Sequence, residues 1–201
     1  MNFEKILKVN PQVLMVTGFK GVDNMAVRAQ EAGVPVLYNY EWVEKTVLGR
    51  AEWIKVFGEL FDCRDKADSI FNEIKTEYIR CAELANNTTN KPKVLSGAPY
   101  KGTWYIPGGQ TFMAEFYRNA GMDYFYKDNK DNFSLALSLE TVMGNFLGAD
   151  IWVGADVRTY KQLEAQDERL MLFKPVKKKQ VYHHLNRTTK TGGNDFWESA
   201  M

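Results

Sequence analysis

Residues 62–84, DCRDKADSIFNEIKTEYIRCAEL, contain neither proline nor glycine. Cys63, Ala67, Ile70, Phe71, Ile74, Tyr78, Cys81, Leu84 and Ala85 recur mostly three and four apart. That spacing predicts one long amphipathic helix. The polar run NNTTNKP (86–92) follows it and is the clearest break in the chain. A stiff rod in the middle third divides everything else into a piece before it and a piece after it. The expected organisation is therefore a first lobe over 1–61, a connecting helix over 62–86 and a second lobe over 87–201.

Both flanking pieces read as α/β. Phe3, Ile6 and Leu7 share one helical face, and Pro11 ends that helix. Val13–Val16 is a short apolar run of the buried parallel-strand kind. NMAVRAQEAG reads as a helix closing at Gly33, and VPVLYNY as a second strand. Residues 41–60 look helical in pieces, with a break near Gly49. After the long helix, KVLS and DIWV read as strands, QTFMAEFYRNAG, LSLETVMGNFLGA and TYKQLEAQDERL as helices, and KKKQVYHH as a last strand with a basic entry. YKGTWYIPGG reads as a Gly- and Pro-rich loop. In the first piece, right-handed crossovers would make the two strands parallel.

Lys and Arg total 26 and Asp and Glu 25, a formal charge of +1, so nothing global favours nucleic acid. No apolar run approaches membrane-spanning length. The first residues, MNFEKILKVNPQ, lack the apolar core of a signal peptide. Taken literally from residue 1, the chain would stay in the cytoplasm. Cys63 and Cys81 fall on the long helix 18 residues apart, about 27 Å at 1.5 Å per residue, too far for a disulfide between them. There is no CxxC, GxSxG, HExxH or P-loop.

Aromatic residues follow several candidate strands. Tyr38, Tyr40 and Trp42 follow the second strand, Tyr100, Trp104 and Tyr105 the third, and Phe196 and Trp197 the last. Ligands of open α/β sheets lie outside the carboxyl ends of strands. These rings either line a cleft for a large, partly apolar ligand or plug the strand ends. His183 and His184 sit side by side, so a strand would turn at most one toward such a cleft, as a metal-meeting group or as a plain surface residue. Gly108–Gly109 ahead of a helix offers either N–H groups to an anion or a turn.

The order of these segments resembles the substrate-binding proteins of ABC transporters for iron–siderophore, haem and cobalamin uptake. The residues that carry the resemblance are FEKILKVNPQVLMV, GVPVLYNYEW and GRAEWIKVFGELF in the first part. YKGTWYIPGGQTFMAEFYRNAG, SLETVM, ADIWVG, VYHHLNR and GGNDFWES carry it in the second. The resemblance implies two α/β lobes joined by a rigid helix, no catalysis and no resident cofactor. It implies a chelate bound between the lobes, here by Tyr40, Trp42, Tyr100, Trp104, Tyr105, His183 and Trp197. It implies delivery to a membrane permease dimer that Glu4 and Glu140 dock to. The full-length protein would sit in the periplasm or be lipid-anchored at the cell envelope. Against the family pattern the chain looks truncated at both ends, with an incomplete first lobe whose exposed sheet edge invites self-association. The other readings of the residues are an α/β enzyme acting on a small anionic substrate and a remnant that binds nothing.

Overall fold

The computed structural model describes residues 2–17, 24–186 and 188. Two compact units divide between Trp42 and Val43.

The first unit contains α1 (Phe3–Val9), β1 (Leu14–Thr17), α2 (Asn24–Glu31) and β2 (Val36–Asn39). Asn2 caps α1 by accepting from Lys5 N–H, and Asn10 leaves it in the left-handed region. β1 and β2 pair in parallel from Leu14 opposite Val36 to Thr17 opposite Asn39. Helix, strand, helix, strand is the predicted order, and the pairing is parallel as the crossover rule requires.

The second unit opens with α3 (Val47–Glu52), α4 (Ile54–Leu60) and the long α5 (Arg64–Asn86). Gly49 lies inside α3, and the break predicted there falls at Trp53 instead. The α5 stripe is narrower than the sequence pattern predicts: Ala67 and Phe71 are buried, Ile70, Ile74 and Tyr78 half-buried. Cys63, Cys81 and Leu84 are exposed, and both thiols are free. α4 lies so close on α5 that a Cβ at Gly58 would stand 2.6 Å from that of Ala67. Glu115 accepts the Val47 N–H at 2.7 Å, and Asn119 donates to the Tyr78 hydroxyl at 2.9 Å. These contacts tie α3 and α5 to α6 (Phe112–Asn119), so α3 and α4 belong with the unit that follows them.

Two sheets build the rest. A parallel sheet has the order β6 (Asp123–Tyr124), β3 (Lys93–Ser96), β8 (Ile151–Val153), β9 (Val181–Tyr182). An antiparallel sheet has the order β4 (Pro99–Tyr100), β5 (Thr103–Pro107), β7 (Ser134–Leu137). α7 (Leu139–Phe146), α8 (Tyr160–Gln166), a 3-10 turn (Glu168–Leu172) and α9 (Lys174–Lys177) pack around them. YKGTWYIPGG is therefore a hairpin and not a loop. Lys101 and Gly102 both take positive φ (49° and 79°), the type I′ turn whose twist suits a two-residue hairpin. The basic run KKK is the end of α9 and the link after it, ahead of a two-residue strand. The core holds Trp104, Trp152, Phe173, Leu95, Ile106 and Tyr124, all essentially inaccessible. Among the described residues no helix is long and apolar enough to cross a membrane.

Candidate functional site

The parallel strands β3 and β8 end the same way. Ser96 is followed by Gly97-Ala98 and Val153 by Gly154-Ala155, and both glycines sit at φ 76°. Gly97 N–H donates to Val153 O and Gly154 N–H to Tyr182 O, each at 2.9 Å. The ladder thus runs one residue past the strands before the chain turns away. A Cβ at Gly97 would stand 2.9 Å from Tyr105 O. At that glycine the carboxyl edge of the parallel sheet meets the antiparallel sheet.

The antiparallel sheet has one face in the core and one in water. Trp104 opposite Leu137 and Ile106 opposite Leu135 turn inward. Tyr105 opposite Ala136 and Tyr100 opposite Thr103 turn outward. Tyr100 is 61% and Tyr105 51% exposed. Their cross-strand neighbours are small, so the two rings stand on a flat, hydrogen-bonded base. Lys101 Nζ lies 5.2 Å from the Tyr100 ring centre, within cation–π range.

Trp104 is a correction to the sequence reading. It is 0% exposed, packed at a tilt against Trp152 and Phe173 with ring centres 5.3 and 6.1 Å away, and donates its indole N–H to Ser96 O at 2.8 Å. The period-two alternation of β5 turns it to the core, and its ring cannot stack on a ligand in this arrangement.

His183 lies just past β9. It is half-buried, and its Nδ1 is sealed from solvent with no hydrogen-bond partner among the described residues. Such a nitrogen is costly to leave unpaired. Burial pushes the His184 imidazole below its usual range, and His183 adds to this while Asp156 opposes it. No cluster of three or more His, Cys, Asp or Glu that could hold a metal occurs among the described residues.

Glu140 occupies the first turn of α7, whose N-cap Ser138 accepts the Thr141 N–H at 3.2 Å. Its carboxyl is held below the usual range by its own backbone N–H, by Arg169 and by Ser138. Glu4 likewise lies exposed in the first turn of its helix, in the first unit. Tyr40 is exposed there and stacks on Tyr38 with ring centres 6.2 Å apart; Trp42 is half-buried in the 3-10 turn Glu41–Val43. Trp197 lies outside the described residues. Of the residues singled out in the sequence, Tyr100 and Tyr105 share the outer face of the antiparallel sheet, and His183 follows β9 at the edge of the parallel sheet.

Three features escaped the sequence reading. Tyr182 is half-exposed at the end of β9 and donates to Gln180 Oε1 at 2.6 Å. The Gly97/Gly154 pair was marked by the repeated Gly-Ala after two apolar strands. Arg169 meets Glu140 across 29 residues, and no local pattern marks it.

The profile of the periplasmic binding protein family matches residues 1–187. An uncharacterised lipoprotein of Methanocaldococcus jannaschii is 30% identical over the whole chain and 47% of its own length. The chain spans about half the length of the curated relatives it matches. An ABC-type Fe3+-hydroxamate transport protein from Saccharomonospora viridis superposes with TM-score 0.68 at 17% identity, covering 90% of this chain and 63% of that one. The periplasmic heme-binding protein RhuT from Roseiflexus gives 0.68 at 17%, covering 92% and 72%. Fold and profile agree over both units, and the chain belongs to the periplasmic binding protein family.

Proposed function

We propose that this chain is the ligand-binding component of an ABC importer, carrying a metal chelate (ferric siderophore, haem or cobalamin) at the cell envelope to a membrane permease. It catalyses no reaction. The observation that carries this reading is the pair of exposed rings, Tyr100 and Tyr105, on a rigid antiparallel sheet joined at Gly97 to the carboxyl edge of a parallel sheet. Exposed tyrosines on hydrogen-bonded strands offer large apolar area at low entropic cost and a hydroxyl for polar groups. His183, whose Nδ1 has no partner among the described residues, is the group proposed for a metal or an acidic substituent.

In this reading residues 62–86 are the connecting rod and 87–201 the second lobe, and of the first lobe expected over 1–61, residues 43–61 group with the second unit. Tyr40, Trp42 and Trp197 are further ring residues proposed for the ligand. Glu4 and Glu140, each in the first turn of a helix, dock to basic groups of the permease. The likeness in fold to a heme-binding protein and to an Fe3+-hydroxamate transport system supports this ligand class.

The test is a titration of the chain with haem, cyanocobalamin, a ferric hydroxamate and a ferric catecholate, read by tryptophan fluorescence with free-tryptophan controls. Saturable one-to-one quenching by one class is expected. A folded chain that saturates with none of the four contradicts the reading.

A further inference from the structure

Glu140 is not a freely projecting side chain. Arg169 Nη1 donates to its Oε1 at 2.8 Å. The same guanidinium is locked from behind by Asp167: Nη2 reaches Oδ2 at 2.7 Å, and Nε reaches Oδ1 at 3.0 Å and Oδ2 at 3.2 Å. Asp167 is itself fixed, since it caps the 3-10 turn and accepts the Arg169 backbone N–H at 2.9 Å. One buried residue of that turn, Leu170, anchors it in the core. The arginine is thus aimed at the glutamate by packing and not by chance. Glu140 nevertheless stays 69% exposed. The trio lines, with Pro99, Lys101, Gly102 and Leu139 among others, an open concavity of about 350 Å³.

We infer that Arg169 is the internal counter-ion of the docking carboxylate, which a partner's guanidinium must displace or share before Glu140 can be gripped bidentately. The inference rests on the docking role proposed for Glu140. Two carboxylates and one guanidinium leave the trio with one net negative charge, so a basic partner is still attracted. The internal pair holds the carboxylate back, because one of its oxygens is already engaged. A solvent-exposed pair of this kind is weak enough for a second arginine to exchange with it. The arrangement makes docking reversible at a surface that must release its permease after each delivery.

The experiment measures binding of the loaded chain to the ABC permease of the same transport system, held in lipid nanodiscs at low salt. Wild type, Glu140→Gln, Arg169→Gln and the double variant are compared, with circular dichroism as the check on folding. Arg169→Gln is expected to bind about two- to fivefold tighter, the range an exposed ion pair can supply, and with steeper salt dependence. In the Glu140→Gln background the same change is expected to have a smaller effect, only that of the charge freed on Asp167. Weaker or unchanged binding of a folded Arg169→Gln chain overturns the inference while Glu140→Gln still weakens docking. If Glu140→Gln itself changes nothing, the docking reading falls, and this inference with it. Should Arg169→Gln fail to fold, Arg169→Lys replaces it. A lysine cannot hold both carboxylates in a fork, so tighter binding is again expected, and unchanged binding again overturns the inference.

Discussion

Trp104 and Trp152 lie ring against ring, 5.3 Å between centres, and each donates its indole N–H to one of two consecutive carbonyls, Ser96 O at 2.8 Å and Gly97 O at 2.7 Å. One tryptophan comes from the antiparallel sheet and the other from the parallel sheet. Together they pin the end of β3 at the point where the chain leaves one sheet for the other. Trp104→Ala removes a fully buried ring and leaves Ser96 O without that donor. The expected cost is about 3–5 kcal/mol of stability, read as a lower urea midpoint. A variant that keeps wild-type stability and loses only ligand affinity would show that the ring serves the ligand instead.

Gly97 carries the junction itself. Its φ of 76° is a region where other L-residues are strained, and a Cβ there would press on Tyr105 O at 2.9 Å. Gly97→Ala is expected to cost about 1–2 kcal/mol from the backbone alone, with more from the contact. Gly154→Ala, whose Cβ would lie 3.5 Å from its nearest neighbour, is expected to cost only the backbone share. Equal melting temperatures for the two variants would remove the contact from the explanation.

Tyr117 reports the integrity of the same core. Its hydroxyl lies 2.6 Å from Ser96 Oγ, and burial pushes it up to about 12 from the usual 10, with the Ser96 hydrogen bond opposing. The folded chain therefore keeps this proton while the unfolded chain loses it. The stabilisation is complete below about pH 10 and is lost as pH rises from there towards about 12. Tyr117→Phe is expected to flatten the fall of the urea midpoint over that window. A parallel fall in both proteins would mean that Tyr117 ionises like an exposed phenol.

The long helix, β1, β2, β3, β8 and most other helices were legible because each is either a 3.6-residue apolar stripe or an uninterrupted apolar run. The hairpin was not, because Lys101-Gly102 hides a type I′ turn behind a lysine at positive φ. Within it, Thr-Trp-Tyr-Ile-Pro did carry the signal: alternate residues Trp104 and Ile106 go inward, and Tyr105 goes out. Reading the segment as a loop placed Trp104 on the wrong side. β6 and β9 are two residues each, too short for any periodicity. The Glu140–Arg169 pair depends on tertiary packing and has no sequence signature at all.

The most direct measurement is the affinity of the Tyr100→Ala/Tyr105→Ala variant for the chelate identified by titration, set beside its thermal stability. Both rings stand outside the core, so the melting temperature is expected to move little. Loss of two stacking rings, each worth about 0.5–1.5 kcal/mol beyond the area it covers, is expected to weaken binding at least about tenfold. Unchanged affinity in a folded double variant would contradict the account and place the ligand elsewhere.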